Sequence, residues 1–218
     1  VVKVLTATGA GVKVSTLILS FSGGHLVMVL ILTAILAILL GMDVPTTASY
    51  ILASAIAAPI LTKLGVPPLN AHFFVFYFAV VSAITPPVCA SVFAAASIAG
   101  ENFWRVAGHA VVMAIALYLI PFLFIFRTGV LMQGGVFDIL YDTVITVFAV
   151  LAITAASAGY LAGRIGWPVR ILLYAGGAML FYPAVWMDVA GVAVLLACAG
   201  ISWWTEQSAT HRNRSAQA

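Results

Sequence analysis

Between Val14 and Gly100 the chain carries two formal charges, Asp43 and Lys63. So long a stretch with so few charges cannot coat a water-soluble globule, whose residues are roughly one quarter charged. The whole chain shows the same bias: of 218 residues, 64% are hydrophobic and 7% charged, and the mean hydropathy is +1.20. It reads as an integral membrane protein. Its apolar runs do not alternate with polar residues as barrel strands do, so they predict helices. The fold class expected is all-α and polytopic.

The remaining bulk features narrow the class further. The net charge of +3 comes mostly from segment ends and the tail. It suits basic cytoplasmic edges and a lipid environment, and gives no reason to expect nucleic acid. Cys89 and Cys198 lie in apolar segments and read as small buried hydrophobes, not as a disulfide or metal pair. The chain opens inside an apolar stretch and its first residue is Val, so it reads as the C-terminal part of a longer protein, or a fragment.

Along the chain, residues 1–11 look like the end of a preceding helix, and residues 12–22 are short and mixed enough to lie along the membrane interface. Residues 25–40 and 47–61 are two apolar helices. Each covers roughly 24 Å at 1.5 Å per residue, short of a hydrocarbon core of about 30 Å. They are either two short spans or a re-entrant hairpin with "GMDVPTTA" (residues 41–48) at its tip. Residues 62–72 are expected to form a polar, proline-bearing loop. The charge-free run 71–100 is too long for one straight span, and "AITPPV" (residues 83–88) predicts a break near its middle. Residues 106–126 are a span with a kink candidate at Pro121, and 136–161 are another. Two shorter spans, 171–186 and 189–204, are expected around Met187 and Asp188, then a disordered polar tail from Thr205. Arg164, Arg170, Arg212 and Arg214 place their loop and the tail on the cytoplasmic side, while Arg127 and Lys63 fall outside against the rule.

The two interruptions carry the chemistry. In a bilayer an unpaired backbone group is costly, so helices break at depth only where protein or a watery cavity satisfies them again. Freed carbonyls at helix C-termini can ligate a small cation, and exposed N–H groups at N-termini favour anions. Gly41 suits a tight tip and Pro45 the first turn of a new helix. Thr46, Thr47 and Thr85 add neutral oxygens suited to sodium.

Residues 41–100, with "GMDVPTTASY" and "SAITPPV" within them, resemble the second half of the large membrane subunit of tripartite ATP-independent periplasmic (TRAP) transporters. The fused type, with small and large membrane subunits in one chain, is the most similar. The likeness runs to about Phe126, and the later spans look like the extension often found on fused members. The resemblance implies a sodium-driven elevator built from two inverted repeats, each a re-entrant hairpin followed by a broken helix. A periplasmic substrate-binding protein would deliver an organic acid anion, such as a dicarboxylate, for symport across the bacterial inner membrane.

On that pattern the chain divides into residues 1–22 (helix end and interfacial arm), 23–126 (second-repeat transport region), 127–204 (transmembrane extension) and 205–218 (cytoplasmic tail). Gly41, Met42, Pro45, Thr46, Ser82, Thr85 and Pro86 are implied as sodium ligands, and Thr47, Pro87 and Ser91 as substrate contacts. No catalytic residue, no other metal and no further cofactor is implied. The first repeat and the small-subunit region would be further partners, since neither lies in these residues; this stretch alone is not expected to transport. Cys89 stands where a small residue is common, and Asp43 occupies a variable position of the tip.

Three competing readings remain. An intramembrane aspartyl protease would need Asp142 and Asp43 as facing carboxylates, yet Asp142 is explained by interfacial solvation and no second acidic motif is present. A hydrolase using Ser91 or Ser97 with His109 has no supporting pattern. A non-transporting scaffold fits the composition but does not need two breaks. Proton coupling in place of sodium stays open.

Overall fold

The computed structural model describes residues 9–42, 44–161, 163 and 165–215; Asp43 and Arg164 lie outside them. The chain falls into two compact units. One comprises Val1–Val111 with Leu117–Ile125, the other Val112–Ala116 with Phe126–Ala218.

The first described helix is α1 (Ala10–Ser22), closed by Gly23 in the left-handed region at φ 58°. A hairpin of α2 (Leu26–Gly41) and α3 (Thr46–Lys63) follows, and α4 (Pro68–Val81) packs against both of its arms. Each helix turns one face inward at helical spacing. In α2 this face is Val29, Leu30, Thr33, Ala34, Ala37 and Gly41. The opposite face, with Ile31, Ile35 and Leu39 exposed, is equally apolar, as expected of a helix whose other neighbour is lipid. A terminal helix pair completes the unit, α6 (Phe103–Met113) leading into α7 (Ile115–Phe126). Phe74 and Phe78 of α4 meet Phe122 of α7 edge-to-face, with centroids 5.4 and 6.0 Å apart. The buried Asn70 side chain donates to the Phe124 carbonyl.

Two expectations need correction here. The polar loop of residues 62–72 shrinks to residues 64–67, because Pro68 opens α4 at a position where its missing N–H costs nothing. The interruption of the 103–126 path falls at Ala114, while Pro121 sits inside α7.

In the second unit a 3-10 turn (Thr128–Leu131) precedes α8 (Val136–Ala158), α9 (Trp167–Met179) and α10 (Val185–Ser215). Glycines let α9 approach its neighbours closely. A Cβ on Gly177 would lie 2.8 Å from Ile153 Cγ1, and one on Gly176 3.0 Å from Val194 Cγ1. Arg170 donates to the Ala156 and Ser157 carbonyls and so caps the C-terminal end of α8.

Among the described residues, three stretches are long and apolar enough to cross a membrane: Phe103–Phe126, Val136–Ala158 and Val185–Trp203. The 13-residue α9, about 20 Å at 1.5 Å per residue, is not among them. Met187 and Asp188 lie in the first turn of α10, not in a loop between spans. The disordered tail expected from Thr205 is instead a continuation of α10 to Ser215; residues 205–215 contain no glycine or proline to end it.

Candidate functional site

The tip of the hairpin and the break after α4 meet. At the tip, α2 ends at Gly41, Met42 turns to extended backbone (φ −61°, ψ 122°), and Pro45 leads into α3. At the break, α4 gives way to a 3-10 turn (Ser82–Ile84), and the helical path resumes with α5 (Ala90–Ala99). Gly41 is held against Ser82 and Ser49. An added Cβ would lie 2.7 Å from Ser82 Cβ, 2.9 Å from Ser49 Oγ and closer still to Ser82 Oγ. Only glycine fits.

Sequence reasoning missed Ser49. It sits in the first turn of α3 and is fully buried, yet its Oγ has no hydrogen-bond partner among the described residues. Leaving a buried hydroxyl unsatisfied costs roughly 1–3 kcal/mol. A serine near the start of a helix is too ordinary to draw notice. The available signal was its place four residues after Pro45, on the face that α3 turns toward the tip.

The carbonyls freed at the break are largely claimed by the break itself. Ser82 Oγ donates to Ala79 O at 2.7 Å, Thr85 Oγ1 to Val81 O at 2.8 Å, and Ser91 Oγ to Ala83 O at 2.6 Å. The Thr85 backbone N–H donates to Ser82 O at 3.1 Å. A hydroxyl has one proton and two lone pairs. With their protons given to carbonyls, Ser82, Thr85 and Ser91 can offer a ligand only lone pairs, which suits a cation and not a carboxylate. Thr85 Oγ1 also lies 2.9 Å from Tyr118 OH on α7.

Of the residues singled out from sequence, the structure brings Gly41 and Ser82 into direct contact and sets Thr85 one helical turn beyond Ser82. Met42, Thr46 and Pro86 are half-buried; Pro45, Thr47, Pro87 and Ser91 are exposed. Among the described residues, no group of three or more His, Cys, Asp or Glu is placed to hold a metal. Among the described residues, the oxygens at the tip and break are those of hydroxyls and backbone carbonyls; Asp43 of the tip lies outside them.

A second polar cluster lies in the other unit. Arg127, buried to 1% exposure, donates to Leu180 O, Tyr182 O and Asp142 Oδ1 and pairs with Asp188 Oδ1. The other carboxylate oxygens are also satisfied: the Gly129 N–H donates to Asp142 Oδ2 and Tyr141 OH to Asp188 Oδ2. Arg127 is thus a buried pairing residue and not a charge on an open loop, and Asp142, half-buried, is held by that arginine and a backbone N–H. Of the two carboxylates an aspartyl protease would need, Asp142 is occupied by Arg127 and the Gly129 N–H, and Asp43 lies outside the described residues.

Apolar helices long enough to span a bilayer, in a chain that also carries interrupted helices, define a multi-pass all-α membrane protein. Its family is known. The family described as "Tripartite ATP-independent periplasmic transporter, DctM component" matches residues 1–139, and the chain belongs to it. No curated protein and no solved structure matches. The hairpin, the break and Tyr118 all lie inside the matched residues. The chain is thus permease material of a TRAP transporter.

Proposed function

We propose that this chain carries a sodium site of a TRAP permease that imports an organic acid anion, such as a dicarboxylate, by sodium symport. The observation that carries this reading is the buried, unpartnered Ser49 Oγ beside Gly41 and Ser82. An orphaned acceptor next to hydroxyls whose protons are already committed is a place where a small cation gains ligands and the protein loses a penalty. Ser49, Ser82 and Thr85 would hold the ion, with backbone oxygens around Gly41, Met42, Pro45, Thr46 and Pro86 as further candidates. Sodium supplies the positive charge that draws tip and break together.

The substrate anion would meet the exposed side of the same region, at Thr47, Pro87 and Ser91; Ser91 must release Ala83 O before it can donate. Loading the ion stiffens the tip, and the loaded unit moves as an elevator against the remainder of the permease, meaning the first repeat and the small-subunit region. Residues 1–22 would serve as the arm, 127–204 as a membrane extension and 205–218 as the cytoplasmic end. A periplasmic substrate-binding protein delivers the anion to the inner membrane, and no bond is made or broken.

The test is uptake into proteoliposomes holding the intact permease and its binding protein. Uptake of a labelled dicarboxylate driven by an inward sodium gradient supports the reading. Equal uptake driven by a proton gradient without sodium contradicts it.

A further inference from the structure

We infer that Tyr118 is a positioning residue for the cation site, acting through Thr85. The inference rests on the sodium reading above and adds a residue from outside the tip and break. Thr85 Oγ1 has a single proton, and the geometry gives it to Val81 O at 2.8 Å. Tyr118 OH, 2.9 Å away, must then be the donor of the second bond. Both roles of Thr85 are fixed in this way. Its proton closes the end of α4, one lone pair is occupied by the phenol, and a single lone pair remains with a set direction.

Removing the phenol hydroxyl would free Thr85 to rotate or to turn its proton outward, where it repels a cation. Tyr118 stands on α7, two turns before the Phe124 carbonyl that Asn70 of α4 engages, so the donor is mounted on a helix tied to the broken one. Nothing about Tyr118 in the sequence marks it. It is one aromatic in "IALYLIPFLFIF".

The experiment follows the melting temperature of the purified intact permease against sodium, with potassium holding ionic strength constant. Tyr118→Phe should raise the sodium concentration for half-maximal stabilisation at least fivefold while leaving the melting temperature without sodium close to wild type. Replacing Tyr118 with p-aminophenylalanine, which keeps a donor at the same place, should restore the midpoint to within twofold. A Tyr118→Phe midpoint within twofold of wild type would overturn the inference and leave the sodium site standing. If Tyr118→Phe is not recovered folded, the p-aminophenylalanine protein decides alone, and a midpoint shifted fivefold overturns the inference. A wild type with no sodium response overturns the sodium reading itself, and this inference with it.

Discussion

Gly41 and Ser82 touch so closely that no side chain larger than hydrogen fits at position 41. The contact joins the end of one hairpin arm to the start of the helix break, and it makes Gly41→Ala a direct probe of the junction. The added methyl must displace Ser82 Cβ and not merely its hydroxyl, which typically costs about 1–3 kcal/mol. Gly41→Ala should lower the melting temperature and abolish any sodium-dependent rise, both read from one thermal titration of the intact permease.

Ser49→Ala has the opposite signature. Removing an unsatisfied buried hydroxyl takes away a penalty of roughly 1–3 kcal/mol, so without sodium the variant should be as stable as wild type or more so. With sodium it should gain less than wild type. Melting curves at zero and saturating sodium separate this from simple core damage, which would lower both.

Asn70→Leu serves as the counterpart. It strips the Phe124 carbonyl of a buried donor and should destabilise by about 1–3 kcal/mol. Asn70 lies at the far end of α4 from the break, so the sodium midpoint should not move. A shifted midpoint would mean that the pinning of α4 to α7 sets the site more broadly than Tyr118 alone.

In the second unit, Arg127→Met leaves Asp142 and Asp188 without their shared cation. Breaking a buried pair by removing one partner costs about 3–5 kcal/mol. The triple variant Arg127→Met, Asp142→Asn, Asp188→Asn should recover part of that loss, because neutral amides tolerate burial that lone carboxylates do not. Thermal melts of the wild type and the two variants check it.

These residues also mark where the sequence was legible. Adjacent prolines leave a helix few options, so the break at Pro86 and Pro87 could be read directly, as could the hairpin turn around Gly41 and Pro45. Faces could not be read. Where α2 is apolar all round, nothing in its pattern separates the buried Ala37 from the exposed Ile35, and the same uniformity hid Ser49 among small residues. Charges misled for a related reason. The positive-inside rule weighs arginines as if each met water or headgroups, whereas Arg127 makes four hydrogen bonds inside the protein to groups from distant segments. Asp188 became visible only once α10 was seen to begin before it. The loop expected at residues 62–72 failed on proline's double meaning, since Pro68 starts a helix as readily as it ends one.

The most direct measurement is equilibrium binding of radiolabelled sodium to the purified intact permease, wild type beside Ser49→Ala, with potassium as the competing ion. A sodium site at the tip and break predicts saturable binding that potassium does not displace and that Ser49→Ala weakens at least tenfold, about 1.4 kcal/mol. Undiminished binding in Ser49→Ala, or no saturable binding in wild type, would contradict it.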